Sequence, residues 1–247
     1  MSIVVAVHNR LPTTLASKDW LTKPWRIIPK SIKAQLFDVL ALFANLRAEI
    51  PLPTEYERYA SLIHDGTRLR KMVTECDVLA VRLDNWFISF RDQLPRELVI
   101  ESEGATEHLA KFPHHVCVET QGYDCTQVYY WATRLLIALT GLELYDINSA
   151  GSGRTIGGRE PGGLVHIFGT TARAELEIHA FKVADKLFNA LPVQFFGLDG
   201  RIGPGMTEGR LVGNLPFAAV KEFYKGRDWV RHDVCQGLEQ RLKRSAY

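Results

Sequence analysis

Between Leu69 and Phe90 the apolar side chains recur at steps of three and four residues: Leu69, Met72, Val73, Cys76, Leu79, Ala80, Leu83, Trp86, Phe87 and Phe90. An α-helix turns once in about 3.6 residues, so this spacing lays all of them on one face and sets Arg, Lys, Asp and Glu opposite. A strand needs alternation, and no stretch of the chain sustains it. A helix carrying such a stripe must bury it against other helices, so an all-α fold is expected.

The same rhythm returns elsewhere. Leu36, Val39, Leu40, Phe43, Leu46 and Ile50 follow the candidate cap Ser31, and Pro51 and Pro53 end the run. Val128, Trp131, Ala132, Leu135, Leu136, Leu139 and Leu142 predict another helix, and Leu176 to Leu191 predict one ended by Pro192. Asn214 and Pro216 suit the cap and first turn of a helix holding Phe217, Val220, Phe223 and Tyr224. Gly226 interrupts, and Asp228 can open a last helix with Trp229, Val234, Leu238 and Leu242. The expected architecture is one domain over residues 1–247, an array of six or more amphipathic helices. Two long glycine-rich loops, 148–163 and 197–213, and an extended basic segment over 1–30 complete it. Residues 95–123 read as a long connection.

Composition narrows the class. Apolar residues at 46% and charged residues at 23% exclude a disordered chain. At 247 residues the chain buries a sizeable core without staples. Cys76, Cys117, Cys125 and Cys235 are scattered, and Cys76 and Cys235 fall on apolar positions, which is reducing-compartment usage rather than a disulfide framework. The run Ile3–Val7 is too short for a signal-peptide core or a membrane span, so neither secretion nor membrane insertion is expected. Net charge is only +2, yet residues 1–33 carry six basic side chains against the single acid Asp19. That is too sparse for the clustered basic stripe by which DNA-binding proteins neutralise several phosphates.

No motif announces chemistry. The loop Gly151-Ser-Gly-Arg-Thr-Ile-Gly-Gly has the glycine content of a phosphate cradle. A dinucleotide loop, however, needs glycine where Ile156 stands, and a phosphate loop needs Lys-Ser/Thr where Arg159 and Glu160 follow. His114, His115, Cys117 and Cys125 are the densest metal-capable set, but zinc sites use two spaced pairs of ligands and here the second half is one cysteine. Ser152 lacks the strand and the flanking pattern of a nucleophile elbow. Glu175, Glu177 and His179 read as neighbours on a solvated helix face. Trp86 and Trp131 sit within apolar stripes and read as core, whereas periodicity does not account for Trp20 and Trp25, set among basic residues. No catalytic, cofactor-binding or metal-ligating residue is assigned, and no cofactor is expected.

The amino-terminal phrase Arg10-Leu-Pro-Thr-Thr-Leu-Ala-Ser-Lys-Asp-Trp-Leu-Thr-Lys-Pro-Trp25 precedes Ile28-Pro-Lys-Ser31 and the helix with Leu36-Phe-Asp-Val-Leu40. This arrangement resembles the central region of fungal binuclear zinc-cluster transcription factors. Ile178 to Phe188, Gly203-Pro-Gly205, Leu215-Pro-Phe-Ala-Ala-Val and Trp229 to Arg244 resemble that family's later helices and its Gly-Pro loop. The resemblance implies an all-helical regulatory domain, located in the nucleus (the alternative is the cytoplasm), that works through protein partners, a homodimer or a small effector. It brings no catalytic residues. In that family DNA contact belongs to a cluster of six cysteines, and this sequence has four cysteines with none before Cys76. Direct sequence-specific DNA binding is therefore not expected. The competing expectation is a helical enzyme of fungal secondary metabolism with its site at loops 148–163 and 197–213, although the acidic metal-binding motifs of terpene cyclases are missing.

Overall fold

Serine hydroxyls and aspartate carboxylates start helices of this chain, at the expected Ser31 and Asp228 and also at Asp65. In the computed structural model, which describes residues 2–52, 54–93, 121–152, 170–196 and 214–244, Ser31 Oγ accepts the Ala34 N–H at 3.2 Å and opens α3, Ile32–Glu49. Asp65 Oδ1 accepts the Arg68 N–H at 2.9 Å and opens α5, Gly66–Asp92. Asp228 Oδ1 accepts the Arg231 N–H at 3.1 Å at the start of α9, Trp229–Arg244. Each cap satisfies a backbone donor that the first helical turn leaves without an internal acceptor. The remaining helices are α1 (Ile3–His8), α2 (Lys18–Thr22), α4 (Tyr56–His64), α6 (Gln121–Ser152), α7 (Thr170–Phe196) and α8 (Asn214–Tyr224). Two 3-10 turns, Thr14–Ala16 and Lys23–Trp25, flank α2. Among the described residues there are nine α-helices and no strand, so the all-α expectation holds.

Four details differ from the sequence reading. Residues 1–30 are not extended: they wind into α1, α2 and the two 3-10 turns. The run in α1 is too short to display a period, yet Val4, Ala6 and Val7 are buried, and Thr13 and Ser17 hydroxyls cap the turns that follow. The loop expected from Asn148 begins later, because α6 continues through Ser152. Leu144 and Ile147 anchor those last turns in the core, and that burial outweighs the roughly 1 kcal/mol helix penalty of Gly151. Residues 153–163 and 197–213 lie outside the described residues.

Pro192 does not end its helix but sits inside α7. Its ring accepts helical φ and forfeits the bond to the Phe188 carbonyl; burial of Leu187 and Leu191 on the preceding turns offsets that loss. Finally, α4 arises where no helix was expected. It is nine residues long, and of its apolar positions Tyr56, Tyr59, Leu62 and Ile63, which recur at helical spacing, only Leu62 is fully buried.

The chain divides into two compact units. The first comprises Met1–Lys30, Phe37–Arg82 and Leu136–Lys182. Its core is built from Val7, Leu40, Phe43, Ile50, Leu62, Met72 and Leu144. Here α6 and α7 approach closely at Gly141, where a Cβ would stand 2.9 Å from Leu176 Cδ2. The second unit comprises Ser31–Leu36, Leu83–Leu135 and Val183–Tyr247. Trp86 is buried there and donates its indole N–H to the Ile32 carbonyl at 2.7 Å. Phe87 stacks on Tyr130 with ring centroids 4.1 Å apart. In the same unit Arg231 donates to Asp185 Oδ1 and to the Tyr224 hydroxyl, both at 2.7 Å, and lies over the Phe188 and Tyr224 rings. That guanidinium ties α9 to α7 and α8 by charge, hydrogen bond and ring contact at once.

Candidate functional site

The unexplained tryptophans lead to the most unusual surface of the first unit. Ser17 Oγ accepts the Trp20 N–H at 3.3 Å and starts α2, whose five residues run directly into the Lys23–Trp25 turn. Pro24 fixes φ within that turn and supports its tight geometry. From Ser17 to Pro29 nearly every side chain faces water; only Leu21 is half-buried. Four large apolar residues are among those left out: Trp20 at 52% exposure, Trp25, Ile28 at 68% and Ile27 at 93%. Single exposed apolar side chains are ordinary, but four within nine residues are the composition of a contact surface.

This stretch is held at both ends. The Thr13 N–H donates to Asn45 Oδ1 at 2.6 Å, and Thr13 itself is buried. At the other end the Lys30 ammonium pairs with the Asp38 carboxylate, both side chains being largely shielded from solvent. Asp38 and Asn45 are two turns apart on α3, about 10 Å along its axis. The intervening residues 14–29 would reach about 50 Å if extended, so they must fold outward between their anchors. The result is a strap pinned at two points on one helix, with apolar side chains along it presented to water.

Electrostatics give the strap a sign. Lys23 pairs with Asp19 on the strap itself, and the Lys30 ammonium also lies 5.3 Å from the Trp25 ring centroid. The Lys18 and Arg26 side chains have no ion-pair or hydrogen-bond partner among the described residues. Two exposed cations, one on each side of Trp20 in the sequence, thus accompany the apolar side chains of the strap.

Other features of the described residues have less to offer. A depression of about 210 Å³ is lined by Glu49, Pro51, Glu57, Arg58, Ser61 and Arg68. It is open, charged in both signs, and smaller than the usual small-molecule cleft of about 300–1,000 Å³. The Cys76 and Cys235 thiols are both pushed up to about 12. Burial is the main cause in each; the Asp77 and Glu75 carboxylates add to it at Cys76, while at Cys235 Lys221 opposes and Glu239 adds. Neither thiol is poised as a nucleophile, because the thiolate is the reactive form.

Of the motifs weighed in the sequence, His114, His115 and Cys117 lie outside the described residues, as do Arg154 to Gly158 of the glycine loop and the Cys125 side chain. Glu177 pairs with Arg173, which also reaches Asp146 on α6, while Glu175 is exposed. No cluster of three or more metal-capable side chains occurs among the described residues. No described helix is long and apolar enough to cross a membrane. The sequence flagged Trp20 and Trp25 but not the anchors, since Asn45 and Asp38 are ordinary polar residues of α3 whose partners lie far away along the chain. Comparison with known proteins adds no assignment: no family model matches this chain, and no curated protein or solved structure matches it.

Proposed function

We propose that this chain is a helical regulatory module that influences transcription in the nucleus through protein contacts. The observation that carries this reading is the pinned strap, along which Trp20, Ile27 and Ile28 are exposed. A rigid loop bearing tryptophan and aliphatic side chains suits protein recognition, where buried aromatic anchors supply most of the binding energy. It coincides with the amino-terminal phrase that resembles the central region of fungal zinc-cluster regulators, so the residues behind the resemblance are also the residues offered to solvent.

Fusing the full chain to an unrelated DNA-binding domain in a fungal cell tests this reading. A change in reporter transcription relative to the DNA-binding domain alone is expected; a folded, nuclear fusion that leaves transcription unchanged contradicts it.

A further inference from the structure

The partner's chemistry can be read from the strap. Resting on the reading above, we infer that residues 17–29 dock an acidic, amphipathic segment of a partner protein, whose carboxylates meet Lys18 and Arg26 while its apolar side chains cover Trp20, Ile27 and Ile28.

Charge complementarity selects this occupant. The strap's one acid, Asp19, is engaged by Lys23, so the charges left for a ligand are both positive. Beside them stand side chains that gain only from losing water: Ile27 and Ile28 offer no hydrogen bond, and the Trp20 ring makes no aromatic or cation contact among the described residues. An acidic partner without apolar residues leaves those surfaces wet, and an apolar one without acids leaves the cations unanswered. Two cations are few for nucleic acid, where affinity grows with each phosphate neutralised. They are few for a membrane as well, and α2, at five residues, is too short to lay an amphipathic helix in a lipid interface.

Pinning contributes to affinity. With Thr13 held by Asn45 and Lys30 by Asp38, the strap is ordered before the partner arrives, so less conformational freedom is lost on binding. The Lys30 ammonium beside Trp25 makes Trp20 the more available ring.

The test uses the full 247-residue chain and a fluorescein-labelled synthetic peptide with leucines at helical spacing and glutamates on the opposite face, read by fluorescence anisotropy. Saturable binding is expected. Trp20→Ala is expected to weaken it by roughly tenfold, as loss of an aromatic anchor does. Combining Lys18→Glu with Arg26→Glu should weaken it by roughly tenfold too and flatten its salt dependence. These side chains are exposed, so unchanged circular dichroism and melting establish that the variants fold. A peptide with glutamine in place of every glutamate should bind several-fold more weakly.

Absence of saturable binding overturns the inference, as does equal binding of the glutamine peptide. Binding to phosphatidylserine vesicles or duplex DNA, lost in the charge-reversal variant while the acidic peptide fails to bind, overturns it in favour of those ligands. If the peptide fails but Trp20→Ala still abolishes reporter output, the regulatory reading stands and the acidic chemistry alone is wrong. If the peptide binds and the reporter is silent, the docking site stands without the regulatory role.

Discussion

Arg10 grips Glu143 through two parallel N–H···O contacts of 2.9 Å each, and it does so from a left-handed backbone conformation with φ of 53°. The conformation belongs to the end of α1: the Leu11 N–H reaches the Ala6 carbonyl at 2.9 Å and the Arg10 N–H reaches that of Val7. This is the Schellman arrangement, whose left-handed position is usually glycine. Arginine tolerates the strain here because its guanidinium gains a bidentate carboxylate on α6, with both side chains mostly shielded from water.

Two substitutions separate those effects. Arg10→Ala loses the pair and keeps the strain, and should destabilise the protein by about 2–3 kcal/mol. Arg10→Gly loses the pair but relieves the backbone, and should cost about 1 kcal/mol less. Urea denaturation of both variants checks this; equal destabilisation would show that the backbone at Arg10 is not strained.

Gly226 and Gly237 should answer alanine in opposite directions. A Cβ on either would meet nothing within 4 Å, so packing does not decide between them. Gly226 sits at φ of 77° in the turn before α9, where alanine is strained, and Gly226→Ala should destabilise by about 1 kcal/mol. Gly237 lies within α9 on its exposed side, and Gly237→Ala should stabilise by up to about 1 kcal/mol through helix propensity. Thermal melts of the two variants moving in the same direction would contradict this account.

Such particulars show where the sequence was readable. Apolar periodicity placed α3, α5, α8 and α9, and Ser31 and Asp228 fell where their caps were expected, because these signals are local. The ends of α6 and α7 were not readable: glycine and proline weaken a helix locally, while burial of Ile147, Leu187 and Leu191 holds it. Helix α4 escaped notice because its apolar positions Tyr56, Tyr59, Leu62 and Ile63 span only two turns, too short a run for the period to stand out. Trp20 and Trp25 stood out as tryptophans outside any period, but their exposure follows from Thr13 meeting Asn45 and Lys30 meeting Asp38. Those contacts carry no pattern in the sequence.

Alkaline pH should weaken the fold through its buried thiols. Cys76 and Cys235 both rise from the ordinary value of 9.0 to about 12 in the folded chain, so the native state holds these protons more tightly than the unfolded state does. Their contribution to stability is complete below pH 9, where both states are protonated, and is lost as pH climbs from 9 toward 12. Urea midpoints should fall over that interval, and Cys76→Ala should fall less steeply than the parent chain. A parallel decline in the two proteins would remove Cys76 from the explanation. At pH 8 both thiols should resist Ellman's reagent until the chain is unfolded.

A tethered reporter with the strap altered and the fold intact separates regulation through the pinned strap from any other source of output. Trp20→Ser combined with Ile27→Ser removes two exposed apolar side chains and touches neither anchor. The full chain should shift transcription, and the double variant, with unchanged melting and unchanged nuclear abundance, should lose most of that shift. A double variant that regulates as strongly as the parent chain would contradict the account.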